Sequence, residues 1–284
     1  MIGRLAEDGS EYVAGVRGGR EGVEARFGGR PVASVGELAR HLAPQIIDPE
    51  VHRLLEEGPA RRRRFVDWGV FHVEHGFLDT WQRYQRALKQ RNAALRRELP
   101  DSAVDVWNGD LVTAGVALTA MRQRYLTRLS EPLREIGGAL GLEPEVRLDI
   151  GWEQGHTFEE ALSRARPRDR RLRATQAGPH RADVAILIGN EKAKERVSRG
   201  QQKLLAAALT LAQLRLQEAD RPARGVLLLD DPAAELDRDN LRRLLSVVSK
   251  VHSQVVVTAL DPEIEGLPQP CRVFRVHDGR VSLV

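Results

Sequence analysis

The segment Gly225–Asp231, GVLLLDD, constrains this chain more than any other. Four successive apolar residues closed by two carboxylates read as a buried strand, because only a strand covered on both faces tolerates an unbroken apolar run. QVVVTAL (Gln254–Leu260) repeats the pattern, and a helix over 239–251 is expected between the two. With a helical run ahead of Gly225 ending near Glu218, the last hundred or so residues alternate strand and helix. That order predicts a parallel α/β sheet.

Carboxylates at the C-terminal edge of such a strand sit where α/β proteins bind ligands. Asp230 can hold Mg²⁺ directly or through water, and Asp231 can orient an attacking water. Strand-end acids also simply cap turns, so the pair gains meaning from its neighbours. Asp237 follows in AAELD, and Thr258 closes the next strand. Upstream, VSRGQQKLLAAAL (Val197–Leu209) predicts a helix capped by Ser198, with Gly200 allowing close approach of a ligand and Gln201 adding donors. Its free N–H groups and dipole suit a phosphate. The same residues equally describe a capped helix with nothing bound.

The rest of the chain supplies a different architecture. Residues 1–35 are glycine-rich and alternate, predicting a β-hairpin or meander. Phe77, Trp81, Tyr84, Leu88, Leu95 and Leu99 form one helical stripe, broken only at Arg91. Pro100 ends that helix, and Asp101 or Ser102 can cap a second, whose stripe runs Val104, Trp107, Leu111, Ala114, Leu118, Met121, Tyr125 and Leu129. Two such helices predict an antiparallel α-hairpin. Strands are expected at Glu145–Glu153 and Ala182–Gly189, and a closing hairpin with an Asp-Gly turn in CRVFRVHDGRVSLV.

Composition narrows the function class. The 284 residues carry 44 Lys and Arg against 40 Asp and Glu, a net charge of +4, which permits a nucleic-acid partner without requiring one. A single cysteine, Cys271, excludes an internal disulfide and a cysteine-based zinc site. No apolar run approaches the ~18 residues of a membrane span, and the charged start lacks a signal-peptide core, so a cytoplasmic protein is expected. The basic clusters are Arg61, Arg62, Arg63 and Arg64, then Arg83, Arg86, Lys89, Arg91, Arg96 and Arg97, then the arginines of 164–173. Each can meet DNA phosphates or form a solvated or dimer-facing surface.

The order of Ser-Arg-Gly-Gln helix, Asp-Asp strand, Leu-Asp and strand-end Thr resembles the signature, Walker B, D-loop and switch of ABC-type ATPases. SRGQQK, GPHRAD (Gly178–Asp183), DPEVHRLLEEGPARRRRFVDWGVFHVE (Asp48–Glu74) and WQRYQRALKQRNAAL (Trp81–Leu95) resemble the RecF family of recombination mediators, in that family's order. The resemblance runs from about Gln45 onward. It implies an α/β fold: an ABC/SMC-type ATPase head, lobe I, over 1–47 and 175–284, with an inserted helical lobe II over 48–174. It also implies a weak DNA-dependent ATPase that dimerises on ATP and Mg²⁺. Ser198, Arg199, Gly200 and Gln201 would contact a nucleotide held by the partner copy. Asp230 would position Mg²⁺, Asp231 the water, Asp237 the D-loop contact, Thr258 the switch and Gln45 the Q-loop. Implied partners are single- and double-stranded DNA at gaps, and RecO, RecR and the RecA pathway, with a part in SOS induction.

The chain departs from that pattern in one respect. No G-x-x-x-x-G-K-[ST] string occurs in it, and no lysine precedes Lys89. The chain therefore resembles a member whose lobe I lacks its first strand, P-loop and following helix, as a shifted start codon or a truncation would produce. Apolar surface and an open strand edge are expected to be exposed there. Two alternatives are a DNA- or partner-binding module without catalysis and the ATPase subunit of a membrane transporter, the second disfavoured by SRGQQK and the arginine-rich helices. Without P-loop amides and lysine, most charge-assisted phosphate donors are missing. Equilibrium dialysis of the isolated chain is expected to give millimolar MgATP affinity; a micromolar value would contradict this.

Overall fold

The computed structural model describes residues 2–7, 10–19, 22–32, 35–220, 225–234, 236–260, 266–267 and 271–284. In chain order the elements are β1 (Ile2–Glu7), β2 (Ser10–Gly19), β3 (Gly22–Phe27), β4 (Arg30–Pro31), α1 (Val35–Ala39), β5 (Ala43–Ile47), α2 (Arg53–Glu56), α3 (Pro59–Val73), α4 (Phe77–Arg96), α5 (Asp101–Asp105) and α6 (Asn108–Ala139). There follow β6 (Pro144–Asp149), α7 (Phe158–Leu172), β7 (Asp183–Ile188), β8 (Glu191–Lys192), α8 (Ala193–Arg196), α9 (Arg199–Asp220), β9 (Gly225–Asp230), α10 (Arg238–Val248), β10 (Gln254–Thr258), β11 (Phe274–His277) and β12 (Arg280–Leu283).

These elements group into two compact units. The first holds residues 1–52, 135–142 and 198–284, and the second holds 53–134 and 143–197. The lobe boundaries expected from sequence assign 175–197 to the ATP-binding lobe. Instead β7 pairs antiparallel with β6 and β8, a sheet of the second unit. Hydrogen bonding to β6 decides this membership, and the local pattern of ADVAILIG is blind to it.

In the first unit β10, β9 and β5 form a parallel sheet in that order. Helix α9 is apolar nearly all round, and its residues from Gln202 to Leu214 are buried. It packs on the face that carries Ala43, Ile47, Leu227 and Leu229, all buried. The unbroken burial expected of GVLLLDD and QVVVTAL is not found. Burial alternates along β9, and β10 is an edge strand with alternately exposed positions. Ile46, Leu228 and Val256 share one register row, where Ile46 is 54% and Val256 44% exposed. The apolar surface expected from sequence is thus present on this sheet.

At the C-terminal end of α9, the buried Glu218 carboxylate accepts from the N–H groups of His252 and Ser253 and from the Ser253 hydroxyl, at 2.6–2.9 Å. Gly225 opens β9 against that serine: a Cβ there would lie 1.9 Å from Ser253 Oγ, so only glycine fits. The N-terminal strands form the expected meander, β1-β2-β3-β4, and pack Ala14 and Ala25 on Leu38 of α1. Its turn residues 8–9 and 20–21 lie outside the described residues. The closing hairpin also forms, with Asp278 and Gly279 both at positive φ, as a tight two-residue turn requires.

The second unit is mainly helical. The expected second helix of the hairpin starts with a separate turn, α5, before α6. Arg91 of α4 reaches Asn108 at the start of α6, whereas the earlier Tyr84 lies against the later Gly115, so the helices run antiparallel. Gly115 is required at that crossing, since a Cβ would come within 2.5 Å of the buried Phe158 ring.

The break in the α4 stripe is explained here. Arg91 is wholly buried and paired with the equally buried Asp169 of α7 at 2.8 Å. It also donates to Thr175 Oγ1 at 2.7 Å and to Asn108 Oδ1 at 2.9 Å. The second Asp169 oxygen accepts from the Gln176 N–H. Burial pushes the Asp169 carboxyl up against the pull of Arg91. Arg91→Met strands that charge and is expected to cost about 3–5 kcal/mol in chemical denaturation, and Arg91→Met with Asp169→Leu to recover most of it.

Candidate functional site

Asp230 is the last residue of β9, and Thr258 stands beside it in β10. The Thr258 hydroxyl donates to the Asp230 carboxylate. The Asp231 N–H in turn donates to the Thr258 carbonyl at 3.1 Å and lies 3.3 Å from its hydroxyl oxygen. Asp231 achieves this by taking φ +41°, a left-handed conformation that aspartate tolerates better than most residues. Adjacent strand residues point to opposite faces, and this turn gives the second acid a direction of its own. The three expected catalytic residues are therefore brought together.

A small cavity of about 30 Å³ opens at this strand end. Its polar lining is Asp48, Lys203, Asp230 and Asp231. Asp48 and Lys203 were missed in the reading of the sequence. Asp48 has a legible signal: APQIID ends in an acid just as GVLLLD does, and β5 pairs with β9 so that Ile47 faces Leu229. Lys203 looks like a surface residue in SRGQQKLL, yet it is buried. Burial and the neighbouring Arg199 hold its ammonium below the usual lysine range, partly offset by Asp48.

A cavity of this size takes a water or a cation, not a nucleotide. Its oxygen donors suit Mg²⁺, which uses one or two carboxylates and takes its remaining ligands from water and phosphate. Among the described residues no three His, Cys, Asp or Glu side chains converge as a ready metal cage. The residues thus fit the metal-and-water edge of a phosphate site.

The remaining expected residues lie elsewhere. Ser198 and Gln201 cap α9 reciprocally: the Ser198 N–H donates to Gln201 Oε1 at 3.0 Å, and the Gln201 N–H lies 3.4 Å from Ser198 Oγ. Ser198, Arg199 and Gln201 are exposed, and nothing lies within 4 Å of where a Gly200 Cβ would be. Asp237 caps α10, accepting from the Asn240 N–H at 2.8 Å. Gln45 is not brought to the acids. It is buried within β5, and its amide donates to Gln213 of α9 at 3.1 Å.

The basic clusters divide by what they touch. Arg91 is removed as a DNA contact by its burial. Arg61 pairs with Glu57, Arg62 with Asp183, and Arg63 donates to the Ala182 carbonyl. In the 164–173 run, Arg164, Arg166, Arg170 and Arg173 are engaged by Glu153, Asp105, Asp101 and Glu98. Arg64, Arg86 and Lys89 are exposed and form no ion pair among the described residues.

A parallel sheet whose strand ends carry an acid pair and a threonine, with an exposed capped helix start in the same unit, matches the fold class of ABC/SMC-type ATPase heads. The solved structures agree with that fold. One titled as the recombination mediator protein RecF-ATP in the RecFOR pathway matches all of this chain and 79% of its own, with a TM-score of 0.85 at 23% identity. An Smc head bound to the C-winged helix domain of ScpA matches 99% of this chain and 69% of its own, with a TM-score of 0.53 at 17% identity. No family model matches the chain. Among curated proteins, the DNA replication and repair protein RecF of Pseudomonas fluorescens is 37% identical over 98% of this chain and 78% of its own length. That of Stenotrophomonas maltophilia is 41% identical over 95% of this chain and 75% of its own. The chain belongs to the RecF family.

The Thr258 hydroxyl has one hydrogen and gives it to Asp230. Thr258→Val removes that donor and is expected to lower stability by about 1 kcal/mol in thermal unfolding, with Thr258→Ser restoring it.

Proposed function

We propose that this chain works in DNA replication and repair as a recombination mediator, binding DNA in a manner governed by ATP. The Asp230–Thr258–Asp231 cluster carries this reading, with the relatives' names in support. Asp230 would hold Mg²⁺ through a carboxylate that Thr258 keeps oriented. Asp231 directs a water, its backbone anchored on Thr258. Bound MgATP supplies the phosphoryl group that is cleaved. Ser198, Arg199, Gly200 and Gln201 serve the nucleotide of a second copy, which the exposure of Ser198, Arg199 and Gln201 favours, and Asp237 serves as the D-loop contact. The ATP-dependent homodimer then sits on DNA at single-strand gaps in the cytoplasm and helps RecO and RecR load RecA, with a part in SOS induction. No described helix is long and apolar enough to cross a membrane.

This reading requires DNA binding. The exposed face of α4 supports it, with Arg86 and Lys89 free to meet phosphates in a sequence-independent manner. Arg86→Glu with Lys89→Glu is expected to weaken duplex binding and to reduce the salt slope by about 0.9 for each phosphate no longer neutralised. An unchanged slope in a fluorescence anisotropy titration would refute that interface.

A further inference from the structure

The second unit contains a larger cavity, of about 310 Å³, walled by α3, α4, α6 and the loop before β7. Its charge is unbalanced. Asp67 is its single carboxylate, and both Asp67 oxygens are taken by Arg122 at 2.7 and 2.8 Å. Arg63 and Arg64 therefore face the cavity without a carboxylate of their own. Arg63 gives one N–H to the Ala182 carbonyl at 2.6 Å, and Arg64 is exposed with no ion pair among the described residues. Burial, and then the charge of Arg122, hold the Arg63 guanidinium below its usual range, a cost an anion would relieve.

His180, in the loop before β7, also lines the cavity. His180 Nε2 faces the Thr175 carbonyl at 2.9 Å, so that nitrogen carries the proton. Nδ1 then accepts from the Tyr84 hydroxyl at 2.6 Å. Burial pushes His180 down to about 4, so the ring is uncharged at neutral pH. Trp81 of α4 also lines it, presenting a half-buried indole with no ring partner and no hydrogen bond among the described residues. Gln85 beside it is equally uncommitted.

Two guanidiniums, a flat apolar face and a free amide call for an anion carrying a flat ring with polar edges. We infer that this cavity takes a nucleoside monophosphate unit, its phosphate on Arg63 and Arg64 and its base against Trp81, within reach of Gln85. The unit can be a free mononucleotide or one residue of an unpaired strand, since both present the same chemistry. The strand source rests on the DNA reading above; the free nucleotide does not.

The test uses the whole chain with dTMP, inorganic phosphate and a labelled oligothymidylate of about 12 nucleotides, within the range of single-strand sites. Arg64→Glu disturbs no ion pair, so its melting temperature should match wild type. It is expected to weaken dTMP or the oligonucleotide about tenfold. Trp81→Leu should weaken the same ligand about tenfold, and Trp81→Phe only about threefold. Loss confined to dTMP assigns the free nucleotide, and loss confined to the oligonucleotide assigns the strand; either supports the site. The inference is overturned if neither ligand binds, if phosphate binds as tightly as dTMP, or if both variants bind as wild type. Should the oligonucleotide be lost in Arg86→Glu with Lys89→Glu but kept in Arg64→Glu and Trp81→Leu, the cavity fails while the DNA reading stands.

Discussion

The buried pair of Arg91 and Asp169 organises the second unit. Three segments that are remote in sequence meet on it: α4 through Arg91, α6 through Asn108, and the stretch after α7 through Thr175 and Gln176. Two charges removed from water need nearly all their hydrogen bonds satisfied in place, or the desolvation penalty wins. This network meets most of that requirement, with Arg91 Nη2 left unpartnered. The penalty for mispairing makes the network a register device. The cavity of the same unit, bounded by α3, α4 and α6, takes its shape from that alignment.

In the first unit the corresponding constraint is the parallel pairing of β5, β9 and β10. Parallel strands end together at one edge, so an acid at the end of each lands in one place. Asp48, Asp230, Asp231 and Thr258 are neighbours for that reason alone. The apolar α9 beneath them makes the edge rigid and delivers Lys203 from its first turn. The acid cluster and the exposed Ser-Arg-Gly-Gln turn are thus mounted at the ends of well-packed elements.

Much of this was legible in the residues. The acid pair, Thr258 and the capped start of α9 follow from apolar runs and their end residues, which are local signals. What failed were inferences about partners. Arg91 looked like a surface cation because its neighbours Arg86 and Lys89 are surface cations. The family resemblance implied a Q-loop role for Gln45, and β5 turns it inward onto Gln213. The arginines of 164–173 formed an apparent basic patch. Four of the six are engaged by carboxylates, three of them far away in sequence, so the patch is mostly a set of intramolecular pairs.

By itself the sequence determined the alternation of strands and helices, the acids that end them, the caps and the family order of motifs. All of these arise from interactions within a few residues or from the burial of an apolar face. Tertiary structure alone decided that β7 joins β6, that Arg91 is buried, that Lys203 and Asp48 complete the acid edge, and that Arg63, Arg64 and Trp81 share a cavity. Each of those depends on the pairing of charges or strands across long stretches of chain. Such pairings are chosen by which alternative leaves the fewest polar groups dry and unsatisfied, a comparison that exists only once the whole unit is packed.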